Sequence, residues 1–234
     1  MGIFKRGDEP MASGSAGSQF WRPDAKAAIN RVFILNPTMQ TIVTGAKYGT
    51  FKVSGGPTNA SWVDIGRQDV GNLLGLKAQN KAFVWVLVPN DATNKSKGYE
   101  VKLWECGQTQ FNAIATGVNE FGLSLQGMMV VLKKDGNRWT TNVNKPPKAH
   151  EVEQSLLETS WQEVVDKGLD GSDEEAFGKI VGLIPTQELQ KKFLIERIQR
   201  EDARVTNWNG VLRKFGIAAP DDSSDEEESD VEEF

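Results

Sequence analysis

Ala82-Phe-Val-Trp-Val-Leu-Val88 is apolar at every position, stops at Pro89-Asn90-Asp91, and is followed by the alternating stretch Tyr99-Glu-Val-Lys-Leu-Trp-Glu105. The first reads as a central strand buried on both faces, since a strand with one wet face would alternate. The second reads as a half-buried strand, with Tyr99, Val101 and Leu103 on one face and Glu100, Lys102 and Trp104 on the other. A polar loop from Asn90 to Gly98 lies between them. Upstream, Arg31-Val-Phe-Ile-Leu35 is a short strand closed by the turn signal Asn36-Pro37, and β-branched stretches at 40–44 and 50–53 flank Gly45 and Gly49. Downstream, Phe111, Ile114, Ala115 and Val118 recur at helical spacing within 108–119. Strand character resumes over 123–134, and Asp135-Gly136-Asn137 turns the chain into Arg138-Trp-Thr-Thr141. About five strands with one helix before the last hairpin predict a small barrel of the OB type.

The period changes after Lys145-Pro146-Pro147. Val152, Leu156, Leu157, Trp161, Val164 and Val165 make one helical face that stops near Gly168. Ser172-Asp-Glu-Glu175 has the spacing of a capping box and opens a helix burying Phe177, Ile180, Val181 and Ile184. A third helix is expected after Pro185 with Leu189, Phe193, Leu194 and Ile198, and a fourth with Val205, Trp208, Val211, Leu212 and Phe215. The expected class is therefore α+β: a flexible N-terminal arm over 1–19, an OB-like β-barrel domain over 20–148, an all-helical module over 149–217 for partner binding or self-association, and a disordered acidic tail over 218–234.

The net charge of -5 conceals a division along the chain. Residues 1–149 carry 18 Lys and Arg against 10 Asp and Glu, residues 150–220 carry 9 against 13, and residues 221–234 carry 9 acids and no base. A basic body with an acidic end points to a polyanionic ligand and a tail that competes with it. One cysteine rules out a disulfide framework and any multi-Cys zinc site, and one histidine leaves little for metal binding or a triad. Phosphate-loop, dinucleotide and zinc-hydrolase motifs do not occur in the sequence, so neither an enzyme nor a cofactor is expected. His150 reads as a surface residue, and Cys106 as a small buried hydrophobe. The longest apolar run has seven residues and the N-terminus lacks a signal-peptide stretch, so the expected location is the cytoplasm, that of the host for a viral protein.

What the sequence does offer is rings interleaved with cations. Trp21 stands beside Arg22, Lys47 beside Tyr48, Phe51 beside Lys52, Lys102 near Trp104, Arg138 beside Trp139, and Lys81 shortly before Trp85. Exposed rings can stack on bases while Lys and Arg neutralise phosphates, which binds a single strand without reading its sequence. Trp62 and Lys133 complete the expected strand-binding set. Trp104 belongs to it because Glu100 and Lys102 mark its face as wet. Phe33, Phe83, Phe111, Trp161 and Trp208 read as core. In the acidic tail, Asp230, Glu232, Glu233 and Phe234 place an aromatic beside carboxylates, a compact ligand for a partner's apolar pocket with a basic rim.

That tail resembles those of podophage and bacterial single-stranded DNA-binding proteins. Phe20-Trp-Arg-Pro23 followed by Asn30-Arg-Val-Phe-Ile-Leu-Asn-Pro37 is similar to a segment of the T-even-type helix-destabilising proteins. The resemblance to phage replication single-stranded DNA-binding proteins implies an OB-fold core that coats and protects single-stranded DNA in replication, recombination and repair, and a tail that recruits polymerase, helicase or primase. The zinc of the T-even group is not implied, because its His and Cys ligands are missing here. RNA is an alternative strand, and self-association along it is one alternative role for the helical module. The rival expectation is a viral protein-binding regulator or assembly factor whose acidic tail mimics nucleic acid.

Overall fold

A computed structural model describes residues 19–48, 51–52, 59–60, 63–64, 78–91, 98–121, 124–136 and 138–181, together with Asn209 and Arg213. The strands are β1 (Phe20–Trp21), β2 (Ile29–Ile34), β3 (Val43–Tyr48), β4 (Phe51–Lys52), β5 (Asn59–Ala60), β6 (Val63–Asp64), β7 (Ala78–Pro89), β8 (Tyr99–Gly107), β9 (Met129–Asp135) and β10 (Arg138–Asn144). The helices are α1 (Gln108–Phe121), α2 (Gln154–Asp166) and α3 (Glu174–Val181). Together they form a mixed α+β fold. Its main sheet runs β1-β8-β7-β2-β9-β10, with β3 added to β7 and β6 to β3, while β4 and β5 make a separate ribbon. Every pair in the main sheet is antiparallel except β1 with β8. Among the described residues the sheet is open, since no pairing joins β10 to β8.

Strand β7 takes two strands end to end along one edge. Phe33 and Ile34 of β2 pair with Leu87 and Val86, and β3 pairs from Val43 with Phe83 to Tyr48 with Ala78. Between the two the chain loops out, which would leave the Trp85 amide without a ladder partner. Asn36, with no exposed surface, fills the break. Its Oδ1 accepts the Trp85 N–H at 2.7 Å, and its Nδ2 donates to the Thr41 carbonyl at 2.8 Å. Leu35 N–H completes the junction by donating to the Trp85 carbonyl at 2.8 Å.

Helices cover both faces of the sheet, which is why residues 82 to 87 of β7 are all buried. On one face Ile114 of α1 packs with Val32, Ile34, Val84, Val86, Val130, Leu132 and Val143. Gly117 lets α1 approach β10 closely, because a Cβ there would lie 2.9 Å from the Val143 Cβ. On the other face Leu157, Val164, Leu169, Phe177 and Ile180 pack onto Phe33, Phe83, Trp85, Leu87 and Leu103. Phe83 and Phe177 meet edge to face at 5.8 Å. The expected boundary between residues 148 and 149 is thus not a boundary of the core: α2 and α3 form the sheet's second covering layer.

Local signals around that layer were partly legible. Helix α2 ends where expected, in a Schellman closure with Gly168 at φ +67, its N–H donating to Val165 O at 2.8 Å and Leu169 N–H to Val164 O at 2.9 Å. Leu156, expected in the buried stripe, is exposed, because the stripe that faces the sheet runs through Leu157, Ser160 and Val164. The capping box expected at Ser172 is replaced by a cap at Asp173, whose Oδ1 accepts the N–H groups of Glu175 at 2.9 Å and Ala176 at 3.0 Å. Ser172 donates instead to Asp170 Oδ1 at 2.6 Å. A carboxylate one residue later reaches two free amides at once, and the helix begins there. The expected third and fourth helices lie outside the described residues, apart from helical Asn209 and Arg213.

Two outcomes follow in equilibrium urea unfolding. Asn36→Ala orphans the buried Trp85 N–H and lowers the unfolding free energy by about 1–3 kcal/mol. Asp173→Ala costs about 1 kcal/mol, and Ser172→Ala, which leaves the cap in place, costs less.

Candidate nucleic-acid interface

The expected strand-binding residues divide three ways. Trp85 and Trp104 are only 4% and 3% exposed, so neither ring is open to a base. Trp85 lies under α2 and donates its indole N–H to the Leu169 carbonyl at 2.8 Å. Trp104 does share a face with Lys102, as its alternation requires, but that face changes from wet to dry along β8. Strand β1 pairs in parallel beside it, and Trp21 meets Trp104 edge to face at 5.5 Å. Trp21 itself and Trp139 are half-buried against the same cluster. Phe111 and Trp161 also pack at core margins, while Phe33 and Phe83 are fully core as expected.

A second group of cations is tied to carboxylates. Lys47 Nζ lies 2.6 Å from Glu105 Oε2 and Lys81 Nζ lies 3.2 Å from Glu105 Oε1. Lys102 Nζ is 3.0 Å from Glu100 Oε2. Burial alone would raise the Glu105 carboxyl, but the hydrogen bond and charge of Lys47, joined by those of Lys81, outweigh it and hold the group below the usual carboxylate range. Cys106, next along the strand, is buried, and desolvation pushes its thiol up to about 12. That suits the expected inert hydrophobe and gives no nucleophile at neutral pH.

Third are the free cations. Arg22, Lys133 and Arg138 are exposed, and Arg31, absent from the expected set, joins them. In register, Ile29 lies opposite Lys133 and Lys133 opposite Thr140, so all three share one face. Arg31 pairs with Val131, and Val131 with Asn142, in the adjacent row of that face. Arg138 pairs with Asp135 in the row beyond Lys133. Successive rows are about 7 Å apart. The β2–β9–β10 end of the sheet therefore presents Arg31, Lys133 and Arg138 in three successive rows, with Ile29, 41% exposed, opposite Lys133 and the exposed Asp135 opposite Arg138. None of the three cations forms an ion pair with another described residue. Arg31 carried a usable signal in its odd-numbered spacing with Ile29 and Phe33, but only the register with β9 puts Lys133 diagonal to it.

The remaining expected residues are placed in part or not at all. Tyr48 and Lys52 are fixed only by strand pairing, to Ala78 and Asn59. Trp62 and the tail residues Asp230, Glu232, Glu233 and Phe234 lie outside the described residues. Among the described residues no group of His, Cys, Asp and Glu could hold a metal ion. No described helix is long and apolar enough to cross a membrane. No protein-family model matches the chain, and no curated protein matches it.

The Glu105 environment has a pH signature. A carboxyl that holds its proton more weakly in the folded chain than in the unfolded one stabilises the fold above its unfolded pKa, and that contribution is lost as pH falls through the lowered value. Glu105→Gln is accordingly less stable than wild type at neutral pH, by no more than about 1 kcal/mol for so accessible a cluster. The difference closes in urea titrations run below the ordinary carboxylate pKa of about 4.

Proposed function

We propose that this chain is a non-catalytic single-stranded nucleic-acid-binding protein, coating DNA in replication, recombination and repair, with its acidic tail engaging replication proteins through Phe234. The observation that carries this reading is the β2–β9–β10 end of the sheet, where Arg31, Lys133 and Arg138 stand exposed and form no ion pair with another described residue, with exposed Ile29 opposite Lys133 and exposed Asp135 opposite Arg138. Guanidinium and ammonium groups spaced along a sheet face can follow a backbone of phosphates, and their contribution falls with salt as counterions are released.

The connectivity supports the same reading. Taking β2 and β3 as one interrupted strand, the order strand-β7-β8-α1-β9-β10 places the helix between the third and fourth strands of an OB barrel. The pairings β2/β3 with β7, β7 with β8, β2 with β9 and β9 with β10 are those such a barrel uses. With β8 and β10 unpaired among the described residues, we read the sheet as a partly open OB-like barrel. Its β7–β8 face lies under α2 and α3, so strand contacts fall on the uncovered end.

The test is a titration of fluorescent oligo-dT with the full chain, with a 1–220 truncation and with the Arg31→Ser/Lys133→Ser/Arg138→Ser variant, over several salt concentrations. The truncation binds more tightly than the full chain. The triple variant binds more weakly, and its slope of log affinity on log salt is shallower by about 2, at about 0.7 per phosphate contact. Absence of binding by full chain and truncation at low salt overturns the reading in favour of a protein-binding role.

A further inference from the structure

Glu105 is an odd residue to find at the centre of a basic cluster. Each oxygen of its carboxylate takes a different ammonium, Lys47 at 2.6 Å and Lys81 at 3.2 Å, so two cations converge on one anion and leave a positive charge over. All three side chains are partly exposed, and the charge-assisted hydrogen bonds hold the geometry. By alternation they lie on the face that carries Phe83 and Trp85, at the end of the sheet opposite Lys133 and Arg138. Lys81 stands in register between Gly45 on β3 and Gly107 on β8, so no side chain walls it on either neighbouring strand. Glycines inside strands commonly mark the close approach of a ligand or another backbone.

We propose that Lys47 and Lys81 form a phosphate-binding subsite that Glu105 occupies in the free protein, its carboxylate standing in for a phosphate of the ligand. The subsite would take a backbone phosphate, an identity that rests on the single-strand reading, and Glu105 would set how much binding energy is lost to displacing it. A purely structural triad would hold the strands together without touching ligand affinity.

The experiment compares full-length wild type, Glu105→Gln and Lys47→Gln/Lys81→Gln/Glu105→Gln against oligo-dT and, separately, against short inorganic polyphosphate, with circular dichroism to check the fold. Glu105→Gln frees both lysines. Its salt slope is expected to steepen by about 0.7, one phosphate contact, so its advantage over wild type grows about 2.6-fold between about 200 and 50 mM salt. The triple variant loses that gain and binds no more tightly than wild type. Equal affinity and slope for wild type and Glu105→Gln with both probes overturns the subsite. If neither protein binds oligo-dT but Glu105→Gln holds polyphosphate more tightly, the single-strand reading falls and the phosphate subsite stands.

Discussion

Trp85 is the point through which the two halves of the molecule are joined. Its carbonyl holds the end of β2 and its amide holds the Asn36 side chain. Its indole N–H holds the turn after α2. A buried amide without a partner costs roughly as much as a lost hydrogen bond, so the loop between β2 and β3 can exist only because Asn36 replaces the missing ladder contact. Once β7 is completed in this way, one strand carries β2, β3 and β8, and helical layers close over both of its faces.

The second layer decides where a ligand can go. Residues 151–181 hold nine acids and two lysines, and they lie across the sheet face that carries basic groups at both ends. On the single-strand reading proposed above, a polyanion would be repelled from the outer surface of α2 and α3 and attracted to Arg31, Lys133 and Arg138 beyond their edge. The apolar underside of the helices leaves Trp85 buried. A face that is aromatic in sequence thus becomes core, and the cationic margin becomes the accessible surface.

Much of this was readable beforehand wherever the signal was local. The all-apolar run at 82–88, the alternation from Tyr99, the 108–119 helix, the Gly136 hairpin and the stop at Gly168 each depend on neighbours within a turn or a few residues, and each has its counterpart in β7, β8, α1, β9–β10 and α2. The cap at Asp173 was missed by one position because serine and aspartate compete for the same role, and the winner depends on where Asp170 sits. Trp104 departs from its expected exposure for a different reason. Alternation assigns a face correctly but cannot say where along a strand a cover begins, and here it is β1 and Trp21 that cover the ring.

By itself the sequence determined the kinds of element, most of their order, the absence of familiar catalytic motifs and the separation of basic from acidic segments, because these follow from composition and short-range periodicity. Only the tertiary structure decided which cations are free and which are neutralised. Lys47 and Lys81 are separated from Glu105 by 58 and 24 positions in the chain, and Arg31 comes onto one face with Lys133 and Arg138 only through the register of β2, β9 and β10. Charges act through space at a few ångströms, and the distances that matter are set by strand pairing, which no local pattern encodes.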